Sequence, residues 1–327
     1  MDQCRVVATV ICIVTAYFAL CTWRRKRESM EGRLVLITGA AGGLGRALAL
    51  RFARAGATIA LWDVRDDALA ELCSWLREQG VSPERIYSRC IDVSDAVAVA
   101  AGADALLASA GPVYVLANNA AVVRGQGLLE GSDESLQASI GVNAMAHFWC
   151  CRAFVRQMLA SEGRSGIIVS VGSLMADFPA ARLSDYCASK AAVAQLHACL
   201  RWDLKAITPP HNVHCLHVQP YMIGTPLFDG GEPMRYAWLR ALLPVLRADA
   251  VAERIVLGVE RREETLIMPP SFACLPPLLR LLPRALRDMA LLLAGADCAM
   301  KGFRGRGAPA DALTPLCLRK RARPHDG

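Results

Sequence analysis

Tyr186 and Lys190 stand four residues apart in the segment Asp185–Lys190, DYCASK, a spacing that sets a phenol and an ammonium on one face of a helix. A tyrosine with an unperturbed pKa of about 10 is a poor base near neutrality, and a neighbouring cation favours its phenolate. Such a pair can take a proton from an alcohol. The lysine is not compositional background, because the chain has only Lys26, Lys190, Lys205, Lys301 and Lys320 and otherwise uses arginine. Pairs of this kind also occur on ordinary helices, so the chemistry needs a second site beside it.

That second site is offered by Thr38–Gly45, TGAAGGLG, which follows a short apolar run and precedes a helical pattern. Gly39, Gly43 and Gly45 let the backbone turn tightly and approach a pyrophosphate, with Thr38 and Leu44 alongside and the positive end of the next helix facing the anion. Asp63 ends the following apolar run, about 20 residues on, where a carboxylate can accept hydrogen bonds from an adenosine ribose. The same charge repels a 2′-phosphate, so NAD is expected as the cofactor. NADP stays open, since Arg65 is close enough to offset the acid.

Short apolar runs must position these groups. Strands are expected at Leu34–Ile37, Thr58–Trp62, Arg85–Ile91, Val113–Ala117, Ile167–Val171, Val213–Val218 and Leu266–Met268. Helices are expected around Leu44–Ala55, Asp66–Gln79, Ala96–Ala110, Asp133–Ala160 and Asp185–Ala206. Strands separated by helices of this length need crossover connections, which predicts an α/β fold with one doubly wound parallel sheet and helices on both faces. No internal repeat or linker divides residues 33–270, which are read as one dinucleotide-binding catalytic domain.

The ends differ from this body. Val6–Trp23 runs almost without charge and as a helix would span roughly 27 Å, close to the hydrocarbon thickness of a bilayer. Arg24–Arg27 follow it at once, which orients residues from 24 onward to the cytosol; a signal peptide carries its charge before the apolar run. Residues 1–23 are therefore expected as a membrane anchor, 24–32 as a basic linker and 307–327 as a disordered basic tail. A monotopic hairpin and a signal peptide remain alternatives for the first segment. The two basic clusters hold eight positive charges, one more than the net +7 of the whole chain, so the body is near −1 and presents no nucleic-acid-binding surface. An apolar content of 54% and a mean hydropathy of +0.30 fit contact with lipid. Residues 271–306 form an apolar extension, and Leu275–Leu293 within it is too interrupted to span a bilayer. Two readings are open there: an interfacial or substrate-covering segment, and a helix packed on the sheet. Thirteen cysteines, an odd number without a Cys-x-x-Cys pair, are expected to be free thiols in a reducing compartment. His211, His214 and His217 do not suggest a metal, because 214 and 217 fall on opposite faces of a strand.

Taken together, these motifs resemble the short-chain dehydrogenase/reductase family. Thr38–Gly45 is similar to its Thr-Gly-x-x-x-Gly-x-Gly turn, and Asp92, with Val93 beside it, falls at its acidic position after the third strand, near the adenine. Asn118–Ala121 resembles its Asn-Asn-Ala-Gly, Asn143 its mid-helix asparagine, Ser173 the serine at the family's interval before Tyr186, and Pro220–Thr225 its nicotinamide-lining segment. Only four asparagines occur in the chain and three sit at these positions. An asparagine is otherwise a costly choice in the middle of a helix. The resemblance implies a Rossmann-type fold and an oxidoreductase. Ser173 and Tyr186 would hold the substrate oxygen, with Tyr186 as base, Lys190 would stabilise the phenolate and hold ribose hydroxyls, and Asn143 would anchor a relay water. Thr38, Gly39, Gly43, Leu44, Gly45, Asp63, Asp92, Val93, Asn118, Tyr186, Lys190, Pro220 and Thr225 would contact the dinucleotide. Ala121, Gly172 and Tyr221 depart from the pattern without removing a reacting group.

Asn118–Arg124, His147–Trp149, Pro220–Met222 and Gly295–Arg306 further resemble the family's branch of retinol dehydrogenases and lipid-droplet 17-beta-hydroxysteroid dehydrogenases. This implies a lipophilic alcohol as substrate, with all-trans-retinol first and a steroid alcohol second; a low-turnover membrane or lipid-droplet partner protein is the reading from another class. It also implies location at the endoplasmic reticulum membrane or a lipid droplet, and assembly with itself or a related dehydrogenase. One of the two members it resembles most has an acid at the position of Asp63 and the other lacks it, so Asp63 favours oxidation.

Overall fold

A computed structural model describes residues 27–231, 236 and 244–304. The expected anchor 1–23, the first residues 24–26 of the basic linker and the tail 307–327 lie outside the described residues. Among the described residues no helix is long and apolar enough to cross a membrane.

Seven strands form one parallel sheet: β1 Leu34–Thr38, β2 Thr58–Asp63, β3 Ile86–Cys90, β4 Val115–Asn118, β5 Ser165–Val171, β6 Asn212–Pro220 and β7 Thr265–Met268. Their order is β3-β2-β1-β4-β5-β6-β7, so the winding reverses between β1 and β4. A crevice opens at the carboxyl ends of strands at such a reversal.

The strands are apolar at successive positions because both faces of the sheet are covered. Val35 and Ile37 of β1 pack with α1 (Gly43–Arg54), α2 (Asp66–Glu78) and α7 (Ala248–Glu260). Leu34 and Leu36 join the opposite core, against α3 (Ala96–Ala110), α5 (Ala146–Ala160) and Leu204 of α6 (Ser184–Ala206). The expected helix Asp133–Ala160 is divided into α4 (Asp133–Ile140), a π turn at Gly141–Met145 and α5. The turn contains Asn143, and such insertions concentrate at functional sites. Helix α7 was not among the expected helices, although Val251, Ala252, Ile255, Val256 and Val259 fall on one buried stripe.

Two further differences concern the ends of the domain. Residues 28–32, expected within a linker, are packed on the fold. Met30 is buried in the core, and the Glu28 amide donates to Glu260 O at 2.7 Å. The Glu28 carboxylate accepts from Arg262 Nε at 2.8 Å and from the Tyr114 hydroxyl. All these partners stand at the amino ends of the strands. At the other end, Leu275–Leu281 (α8) and Arg284–Ala294 (α9) fold over the carboxyl ends.

Candidate active site

The turn after β1 works through the glycines that sequence reading singled out. Gly39 adopts φ +62°, and a Cβ there would lie 2.7 Å from Ala120 Cα. A Cβ on Gly45 would collide with the carbonyl oxygen of Gly39, so the helix can start this close to the turn only without a side chain. No side chain caps α1 at Gly42, and its first amides stay available to an anion.

Asp63 is buried, and its carboxylate accepts from Ala41 N at 3.0 Å and from Arg65 N and Nε at 3.2 and 3.3 Å. The acid that ends β2 is thereby hooked onto the glycine turn, while the guanidinium expected to offset it is already bonded to it. Thr38 does not face the crevice. Its Oγ1 accepts from Asn119 N and Ala120 N at 3.0 and 3.1 Å, clipping β1 to the loop after β4. Asn118 is likewise turned away, buried with its amide on Cys151 Sγ at 3.6 Å. The neighbouring Asn119, a motif residue not expected to contact the dinucleotide, lines the crevice and donates to Thr38 O at 2.8 Å. Asp92 caps its own turn by accepting from Ser94 N and Oγ at 2.9 and 2.6 Å, and Val93 is buried in the core.

Ser173, Tyr186 and Lys190 come together at the end of β5. Lys190 is 1% exposed and donates to Val171 O at 2.9 Å, two residues before Ser173. Only one of its three donors is taken by this bond. Burial without a counter-ion lowers its pKa to about 8. Its ammonium lies 5.6 Å from the centroid of the Tyr186 ring. The expectation that a nearby cation brings the phenol toward the working range is not met by the free protein. Burial pushes Tyr186 above its ordinary value and outweighs the hydrogen bond from Ser173 that favours the phenolate. In the free protein burial thus favours the neutral phenol.

Asn143 is fully buried, and its side-chain amide is engaged by protein groups. Oδ1 accepts from Val122 N at 2.8 Å, and Nδ2 donates to Val122 O and Ser189 Oγ at 2.9 and 3.2 Å. Ser189 in turn donates to Tyr186 O at 2.7 Å. Asn143 thus braces the loop after β4 against the helix that carries the phenol. Ser189 is a link that sequence reading missed, although it lies inside the DYCASK segment.

Beneath Lys190 lie three buried histidines. His197 Nδ1 is 3.0 Å from Ser170 Oγ, and its ring stacks on His217 at 5.0 Å between centroids. Neither ring nitrogen of His147 has a protein partner. Burial lowers His197 to about 3 and His217 to about 4, and it takes His147 well below the usual value. His214 instead meets Glu263 O at 3.3 Å. Gly172 acquires a reason here: a Cβ on it would lie 2.6 Å from His217 Nε2.

A cavity of about 320 Å³ joins these parts. Gly39, Gly43, Leu44 and Gly45 border it on one side, Ser173, Tyr186 and Lys190 at its floor, and Pro220 and Thr225 across from them. Thr225 closes on the turn, since a Cβ on Gly43 would lie 2.6 Å from its methyl group. Beyond the phenol the walls are apolar. Tyr221 stacks on Phe272 at 5.4 Å, Phe228 meets the Tyr186 ring edge-on, and Leu279 and Leu291 reach in from α8 and α9.

The family model for short chain dehydrogenases matches residues 33–234. Short-chain dehydrogenase/reductase family 16C member 6 of Bos taurus is 35% identical over 75% of this chain and 75% of its own length. Retinol dehydrogenase 10 of Homo sapiens is 32% identical over 86% of this chain and 87% of its own length. Among solved structures, a short chain dehydrogenase/reductase from Burkholderia phymatum in complex with NAD superposes with a TM-score of 0.68 at 28% identity, covering 81% of this chain and 96% of that one. A parallel sheet that reverses beside a glycine turn, and a serine, a phenol and an ammonium gathered at that reversal, agree with these matches: the chain is an oxidoreductase of the short chain dehydrogenase family.

Proposed function

We propose that the protein oxidises a long, apolar alcohol to its carbonyl compound with NAD, and that all-trans-retinol is the alcohol it serves. The observation that carries this reading is the single cavity. One end is bordered by a glycine turn with free helix amides, its floor holds Ser173 and Tyr186, and the remainder is apolar and aromatic. Its volume falls within the range of small-molecule sites, and its few polar groups converge at one point, as in sites that orient an apolar ligand.

The residues present fit a dinucleotide. The uncapped amides of α1 suit a pyrophosphate, the two spare donors of Lys190 suit ribose hydroxyls, and the Asp63 carboxylate suits an adenosine ribose. Because Arg65 is bonded to Asp63, its charge is less available to a 2′-phosphate, which supports NAD over NADP. Bound NAD supplies a positively charged hydride acceptor. Ser173 would donate to the alcohol oxygen and hold it beside the phenol. Tyr186 would first release its own proton to solvent under the positive charges of Lys190 and bound NAD, and as phenolate would accept the hydroxyl proton as the C–H hydride leaves. Lys190 stabilises the phenolate, while Asn143 and Ser189 fix the helix turn on which it rides. The apolar walls exclude water from this exchange.

Residues 1–23 serve in this reading as a membrane anchor with the domain in the cytosol, at the endoplasmic reticulum or a lipid droplet. Support comes from the apolar run followed by Arg24–Arg27 and from the similarity to retinol dehydrogenase 10. Membranes carrying the full chain, assayed with all-trans-retinol and a 17-beta-hydroxysteroid and with both dinucleotides, test it. Retinol with NAD should exceed every other pairing in kcat/KM by about tenfold. Preference for the steroid would transfer the assignment to steroid oxidation, and turnover of neither would leave a binding protein.

A further inference from the structure

Helix α9 is only lightly packed, with Ala294 against the Leu174, Tyr221 and Phe272 cluster. Among the described helices of eight residues or more, it alone buries none of its residues, although it holds four leucines and a methionine. Toward the protein, Ala290, Leu291 and Ala294 face the cavity. Toward the outside, Leu286, Met289, Leu292 and Leu293 are exposed, and α8 continues the ridge with Leu278 and with Leu281 at 81% exposure. A helix of 11 residues is marginal in water on its own and depends on an apolar partner for its stripe. Contiguous apolar surface of this kind marks an interaction site.

The charges on this ridge select the partner. Residues 275–304 carry Arg280, Arg284, Arg287, Lys301 and Arg304 against Asp288 and Asp297. Arg280 is held by Asp177 of the body at 2.6 Å, which leaves Arg284, Arg287, Lys301 and Arg304 as the cations of the ridge and its flank. Arg284 pairs with Asp288 one turn away at 3.4 Å, an exposed pair that leaves the arginine free to reach outward. A second copy docking on the same ridge about a twofold axis would set these cations against their own counterparts. Leucines flanked by long cationic side chains instead match an anionic lipid surface, with acyl chains below and headgroups at the rim.

We infer that α8 and α9 dock on an anionic phospholipid bilayer and form the entrance through which an apolar substrate passes from the acyl chains to Tyr186. The docking stands on the ridge itself, and the passage rests on the alcohol reading above. Lipid covers the outer side of α9, and the substrate's apolar body covers the inner side.

The test uses the full chain in phosphatidylcholine vesicles with and without phosphatidylserine. Amide hydrogen exchange of residues 275–294 is measured, together with KM for a vesicle-dissolved long-chain alcohol and for a water-soluble alcohol. Replacing Leu281→Glu with Met289→Glu should speed exchange of these residues, raise KM for the vesicle-dissolved alcohol about tenfold, and leave KM for the soluble one unchanged. The pair Arg284→Gln and Arg287→Gln should remove the benefit of phosphatidylserine, about fivefold for each charge. Equal exchange and equal KM in the glutamate variant and the parent would overturn the proposal. So would protection that grows with the protein-to-lipid ratio, which assigns the ridge to a second copy. If neither alcohol is turned over, the alcohol reading fails and exchange still decides the docking.

Discussion

Beneath Tyr186 the protein encloses Lys190, His147, His197 and His217 in a closed polar floor, whereas above it α8 and α9 hold apolar side chains out to the surroundings. The floor gathers charge-bearing groups where charge is costly, and the surrounding strands and helices hold them there. The roof places leucines where water is, and little in the fold fixes them. Polar groups locked in a dry interior have set proton affinities and positions. An apolar roof held to the body by little more than Pro276, Ala294 and the Arg280–Asp177 ion pair can adjust to the body of a substrate. Reactivity therefore belongs to the floor and selectivity to the roof.

Removing the floor's base should have the largest effect. Tyr186→Phe is expected to lower kcat for alcohol oxidation by about 10²- to 10⁴-fold while NAD still binds, measured by steady-state turnover and by titration of NADH fluorescence. The division between floor and roof breaks if Leu279→Ala in α8 lowers kcat as much.

Acid should reveal the floor next. His197 and His217 have folded pKa values of about 3 and 4, below the ordinary 6.5, so the unfolded chain binds protons that the fold refuses. Stability is then intact above about pH 6.5 and is lost progressively as pH falls toward 4, by about 2 kcal/mol per histidine at pH 5 as an upper figure. Lys190 has the same sign in another window: with a folded value of about 8 against 10.5, it makes the fold more stable as pH rises between them. Thermal midpoints at pH 5, 7 and 9 check both, and a midpoint flat from pH 7 to 5 contradicts a sealed floor.

The smallest of these effects concerns the cofactor. Asp63→Ala should narrow the kcat/KM preference for NAD over NADP by about tenfold, since it removes an acceptor and frees Arg65. An unchanged ratio would mean that Asp63 serves only to hook β2 onto the glycine turn.

The floor was legible in the sequence where function forces rare residues into fixed spacings. A lysine in an arginine-rich chain, an asparagine inside a helix and three spaced glycines each violate local preference, and each stands at the crevice or braces it. The strands were legible because a sheet covered on both faces needs unbroken apolar runs. The histidine cluster was not, because His147, His197 and His217 come from three elements and only tertiary packing assembles them. Nor were the parts of Asn118 and Asn119 separable by spacing. One faces Cys151 and the other the crevice, a distinction set by where β4 ends. The phenol's protonation state escaped for a related reason: spacing reveals the cation and hides the desolvation.

The clasp of Glu28 on Arg262 and Tyr114 has a geometric consequence. It fastens the start of the domain at the amino ends of the strands, while the cavity mouth lies past their carboxyl ends, one strand length away, roughly 17 Å or more. A proposed anchor preceding Arg27 and a proposed lipid contact at the roof could share one flat surface only if the strands ran along it. On the membrane reading proposed above, the enzyme would lie on its flank, like a boat moored at the stern with its hatch lowered to the water, and the length of the chain before Arg27 would become a determinant of turnover.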